Sequence, residues 1–96
     1  MGTPAPVALV VRGPLRREDL DGLALRMCAL LSTSRGRVVH CHVVGVDADA
    51  VAVDALARLQ VVAGRNGCRV VLCNATQELL DLVAWMGLAD VLPEQR

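Results

Sequence analysis

Short runs of β-branched residues alternate with longer segments of helical periodicity along the chain. The β-rich runs are Pro6 to Val11, Arg37 to Val44 and Arg69 to Cys73. A helical pattern follows each run, and Leu88 to Pro93 can form a short final strand or extended tail, which predicts the order β-α-β-α-β-α-(β). This alternation indicates an α/β domain with a small, mostly parallel sheet and right-handed crossovers. The length suits a single domain spanning 1–96.

The second run, Val38–Val44, is apolar at nearly every position. Continuous apolar runs are typical of parallel strands that are covered on both faces. We therefore expect Val38–Val44 and Val70–Cys73 to be interior, parallel neighbours in one sheet, with helices packed on it.

Apolar residues spaced three and four apart predict three helices. The first runs from about Arg17 to Thr33, the second from about Asp49 to Arg65, and the third from a cap at Thr76 to Gly87. The residues expected to face inward are Leu20, Leu23, Ala24, Met27, Leu30 and Leu31 on the first helix, Ala52, Leu56, Leu59 and Ala63 on the second, and Leu79, Leu82, Val83 and Met86 on the third.

The composition argues against several classes of ligand. Ten basic residues balance ten acidic ones, so the chain has no electrostatic basis for binding nucleic acid or an anionic membrane surface. With one Trp and no Phe or Tyr, it lacks aromatic platforms for stacking bases. No apolar run approaches the roughly 20 residues of a membrane span, and the amino terminus lacks the charged start of a signal peptide. We expect a cytoplasmic protein that does not insert into membranes.

Cysteine and histidine residues could hold a metal, but their spacing gives little support. The cysteines form no C-x-x-C pair and are expected to be small, reduced, buried hydrophobes. His40 and His42 would share one face of a strand and could both reach one ion, yet no third ligand is evident. We expect no metal site and no cofactor; a small metal- or nucleotide-binding domain remains an alternative.

The surface of the second helix suggests a binding role. Asp54 and Arg58 lie four residues apart on its polar side, and Val51 and Val61 flank that side. Trp85 falls on the polar side of the third helix, where it can anchor a partner or fold over a neighbouring strand end. Asp47 and Asp49 precede the second helix, where acids cap helices and complement the dipole.

The order and spacing of these segments resemble a STAS domain (sulfate transporter and anti-sigma factor antagonist), in particular the small stand-alone kind of actinobacteria. The similarity is carried by the segment from Val53 to Leu92, with Thr76-Gln77-Glu78-Leu79 at the family's Ser-Pro-Glu-Leu helix start and Gly87-Leu88 at its end. The segment from Val10 to Met27 resembles the first half of the family, so the similarity covers nearly the whole chain.

The resemblance implies a non-enzymatic module whose partner is an anti-sigma factor of the serine-kinase type. Family members that switch carry a phosphorylatable serine at the junction before the second helix, and Asp49 stands at that position here. No residue from 47 to 54 bears a hydroxyl, so the kinase is not expected to modify this junction. The hydroxyls of Ser32 and Ser34 are expected at a solvated helix end.

The residues expected to bind the partner are Asp47, Asp49, Val51, Asp54, Arg58, Val61 and Trp85. The resemblance leaves a second role open, the STAS subunit of a lipid-transport ABC system, which docks on its ATPase. A homodimer is also possible, because the flanking valines would serve self-association as well as partner binding.

Overall fold

A computed structural model describes residues 7–31 and 38–94. Its strands are β1 (Val7–Arg12), β2 (Val38–Val44) and β3 (Arg69–Cys73). Its helices are α1 (Leu20–Leu31), α2 (Ala50–Arg65) and α3 (Gln77–Trp85), and a 3-10 turn, Arg17–Asp19, leads into α1. The predicted βα alternation is therefore confirmed. The predicted end of the first helix, at Thr33, lies outside the described residues.

The three strands form one parallel sheet in the order β1-β2-β3. Val7 of β1 is in register with Val39 of β2, and Val39 is in register with Val70 of β3. The predicted parallel pairing of β2 with β3 is confirmed. The prediction that both are interior is wrong for β3, because the described residues beyond it, up to Glu94, contribute an isolated bridge between Leu72 and Glu94 and not a full strand.

Burial alternates between the two faces of the sheet in β1 and β2, whereas Val70, Val71, Leu72 and Cys73 of β3 are all buried. Val39, Cys41 and Val43 of β2 point into the core, whereas the residues between them are half-buried. The strand β1 alternates in the same way, with Ala8, Val10 and Arg12 exposed. The prediction that β2 is buried on both faces is wrong because apolar composition does not by itself place a helix on each side. We call the side of the sheet that carries Val10, His40 and His42 the open face; Val71 and Cys73 of β3 lie on the same side but are buried.

The core lies between the sheet and the helices and follows the predicted stripes closely. Every predicted inward residue of α2 is buried, as are Leu79 and Val83 of α3. Met86 is an error of prediction: α3 ends at Trp85, and the Met86 side chain is 43% exposed. Cys28 is also exposed, contrary to expectation, because it points away from the buried side of α1, while the other three cysteines are buried. All four are free thiols.

The outer side of β3 is closed by a side chain and by the end of the described chain. The amide of Gln60 on α2 pairs with Val70: its Oε1 accepts the Val70 N–H at 2.8 Å, and its Nε2 donates to the Val70 carbonyl at 3.1 Å and to the carbonyl of Val91. Two residues along β3, the Leu72 N–H donates to the Pro93 carbonyl at 2.8 Å. Gln60 thus occupies the place that a neighbouring strand would take. Among the described residues, no helix is long and apolar enough to cross a membrane.

Candidate partner-binding site

The loops after the strands meet at the carboxyl end of the sheet, where parallel α/β proteins carry their sites. Gly13, just after β1, passes so close to the Gly45 carbonyl and to Val46 that a Cβ at position 13 would collide with that backbone. Gly45 adopts a φ of +64°, and Asn74 after β3 adopts a φ of 60°. The close approach of Gly13 to Gly45 and Val46 brings the loops after β1 and β2 into contact just before α2.

The junction itself, residues 46 to 49, is anchored below and exposed above. Val46 is buried, while Asp47 and Asp49 are exposed. The Asp49 carboxylate accepts the Ala52 N–H at 2.8 Å, and its backbone is extended, with φ −136° and ψ 173°. The predicted role of Asp49 as N-cap of α2 is therefore confirmed. The residue remains exposed to solvent while it caps the helix.

Asp54 on the first turns of α2 lies between two arginines. Its Oδ2 is 3.4 Å from Arg58 Nη2, the predicted i,i+4 pair, and 3.4 Å from Arg17 Nη1 in the 3-10 turn. Sequence spacing could not reveal the Arg17 contact. The predicted parallel sheet did indicate that the two regions are close, because the carboxyl ends of parallel strands share one edge. That edge places the loop after β1 beside the start of α2. These exposed pairs add little stability, but they fix the polar surface beside the junction.

The candidate partner-binding residues fall into two groups, and Arg58 belongs to the first through its ion pair with Asp54. Asp47, Asp49, Val51 and Asp54 gather at the start of α2, and Val51 is half-buried there. Val61 follows Asp49 by twelve residues, which is about 18 Å along a helix axis. The sequence prediction of one binding group is thus resolved into a junction group and a distant one.

The distant group lies at the amino end of the sheet and is apolar. α3 begins at its cap Thr76 beside the end of β3 and runs back along the sheet, so Trp85 lies toward the other end. The Trp85 side chain is 85% exposed, which rules out the alternative that it folds over a strand end. Val61 and Val91 are exposed as well, at 54% and 43%.

The two histidines share the open face as predicted, and each ring approaches β3. His40 Nδ1 lies 3.8 Å from Cys73 Sγ, and His42 Nδ1 lies 3.3 Å from Asn74 Nδ2. Cys73 was not predicted on this face; the register that pairs it with His42 puts it there. Within residues 7–31 and 38–94, no three His, Cys, Asp or Glu side chains are grouped so as to hold a metal ion.

The buried thiols of the sheet are poor nucleophiles. Burial, and secondarily the neighbouring Cys73, raises the pKa of Cys41 to about 12, and burial also raises the pKa of Cys73. A thiol must lose its proton to attack or to bind metal. The His40–Cys73 contact therefore lacks the activated thiolate of a cysteine catalytic pair.

The predictions for Ser32 and Ser34 concern residues outside the part of the chain that the structure describes.

Comparisons with known proteins identify no relative: no family model, no curated protein and no solved structure matches this chain.

Proposed function

We propose that this protein is a small regulatory module of the STAS type that acts by binding another protein at the junction group, Asp47, Asp49, Val51, Asp54 and Arg58. One observation carries the proposal: the acidic junction is exposed and already ordered. The Asp49 side chain is held by the Ala52 N–H, and Val46 is buried beneath it. An ordered surface loses little conformational entropy on binding.

The charges around the junction fit a partner whose surface carries the complementary charges. Asp47 and Asp49 place negative charge at the start of α2, where the helix dipole contributes positive charge. Arg58 and Arg17 lie on the flank and share Asp54. A partner with a basic group facing the junction and an acidic group facing the arginines would match this order.

The proposed partner is an anti-sigma factor of the serine-kinase type, on the strength of the resemblance. In that case, Asp49 stands where a switchable relative has its phosphoserine. A carboxylate carries less charge than a phosphate, so it repels the partner only in part. The protein would then bind the partner more weakly than an unphosphorylated relative does, and no kinase could switch it at this position.

The test measures the affinity of the native protein and its variants for the kinase-type partner encoded in the same genome. Asp49→Ser keeps an N-capping side chain and removes the charge. We expect it to tighten binding several-fold and to become phosphorylated by the partner with ATP. Asp49→Ala should also bind more tightly, but it loses about 1 kcal/mol of stability with the cap.

The matched control is Asp90→Asn, which removes an exposed acid beyond the end of α3. Its affinity should equal that of the native protein. If Asp47→Asn, Asp49→Ser and Asp49→Ala all bind as the native protein does, the junction is only a helix cap and the proposal is wrong.

A further inference from the structure

The two edge strands of the described sheet, β3 and β1, differ in how their outer main-chain groups are covered. The outer side of β3 is closed by the Gln60 amide and by Pro93. Within the described residues, β1 pairs with β2 alone. Proteins protect exposed sheet edges with prolines, inward-pointing charges, bulges or covering segments. The strand β1, VALVVR, contains no proline, and its single charge stands at its end.

The direction of the main-chain groups along β1 follows from one hydrogen bond. The Gly13 N–H donates to the Val44 carbonyl at 2.8 Å, so position 13 faces β2. Successive residues of a strand direct their N–H and C=O groups to opposite sides. Ala8, Val10 and Arg12 therefore direct theirs outward, away from β2.

We propose that β1 pairs with β1 of a second copy, antiparallel about a two-fold axis, to form a continuous sheet across a homodimer. The register that uses every outward group places Val10 opposite Val10 of the partner and Ala8 opposite Arg12 of the partner. Each of these pairs exchanges both main-chain hydrogen bonds. Arg12 then faces a small neutral residue in place of a like charge.

The groove between β1 and α1 suits a second copy electrostatically. Glu18 and Asp19 line it at one end, and Arg12 and Arg26 also line it, so its charges balance. A two-fold axis reverses α1 and points its acidic start toward the half of the partner's helix that carries Arg26. Gly22 lies in this groove with open space around its Cα, which leaves room for side chains of the second copy. A closed, self-complementary contact of this kind ends at the dimer.

The first test is the mass of the native protein in solution by sedimentation equilibrium, over a concentration range that reaches about 100 μM. We expect concentration-dependent association to twice the 10.2 kDa of the chain. Val10→Lys puts two ammonium groups opposite each other at the two-fold axis and should yield a monomer. The matched control, Val44→Lys, adds the same charge at an exposed valine of β2 on the same face and should still dimerise. Circular dichroism verifies that both variants fold.

The second test fixes the register by cross-linking. Opposed residues in a hydrogen-bonded antiparallel pair have Cα atoms about 5.5 Å apart, a distance that suits a disulfide. In a background with the exposed Cys28 changed to Ser, Val10→Cys should form a covalent dimer on mild oxidation, and Val44→Cys should not. A native protein that stays monomeric over the whole range would overturn the proposal. So would a Val10→Lys protein that dimerises as the native protein does, or equal cross-linking at positions 10 and 44.

Discussion

At the scale of single residues, the burial of one cysteine, Cys41, affects how the stability of the fold depends on pH. The chain has no Tyr and no Lys. Tyr and Lys side chains, which ordinarily titrate near pH 10, therefore do not mask the ionisation of a thiol. Cys41 resists, because burial raises its pKa from 9.0 to about 12, whereas the same thiol ionises freely once the chain unfolds. The folded state then holds a proton that the unfolded state releases.

The free energy of unfolding should therefore fall as the pH rises above 9. The contribution of Cys41 to stability is complete below pH 9 and is lost as the pH rises from 9 to 12. The slope approaches about 1.4 kcal/mol per pH unit. In urea unfolding, Cys41→Ala should be less stable at pH 7 but should lose less stability between pH 9 and 11. Cys28→Ala, at an exposed thiol, should keep the native slope. An undiminished slope in Cys41→Ala would contradict the burial of this thiol.

At the scale of elements, Gln60 acts as a substitute for a strand. Its amide pairs with both main-chain groups of Val70 and also donates to the Val91 carbonyl. Gln60→Met preserves the length of the side chain and leaves these groups without their partner. We expect a loss of about 1 to 3 kcal/mol in the free energy of unfolding. Gln77→Met is the control, since Gln77 is exposed and its side chain bonds only Asp81 on the same helix; it should cost below about 0.5 kcal/mol. Equal losses in the two variants would show that Gln60 does not close the sheet.

The elements were also the part of the fold that sequence patterns predicted best. Helix starts at Asp49 and Thr76 are encoded locally, because the capping side chain and the N–H it binds lie within the same turn. The open face was not predicted, since covering a sheet depends on where crossovers place helices and not on the composition of a strand. The contacts of Arg17 with Asp54 and of Cys73 with His40 span 37 and 33 residues, beyond the reach of any local pattern.

The whole molecule presents two candidate surfaces at opposite ends, and Trp85 reports on one of them. As the chain's single tryptophan, 85% exposed, it should be quenched by acrylamide almost as readily as the free amino acid. If the partner binds the junction group, Trp85 emission and quenching should not change on complex formation. Trp85→Ser should then bind with native affinity. A blue shift with protection from quenching would move the binding surface to the Val61–Trp85 end.

The strand order also bears on how the chain acquires its structure. β2 pairs with β1 and β3 pairs with β2, so the order in the sheet follows the order of synthesis. The unit β1-α1-β2 can therefore assemble while β3 is still inside the ribosome, without waiting for a distant segment. Until β3 emerges, β2 is an edge strand of the sheet. The helix α2, which bears Gln60, is synthesised before β3, the strand whose outer side Gln60 covers. Synthesis thus delivers the pieces in the order in which the sheet uses them.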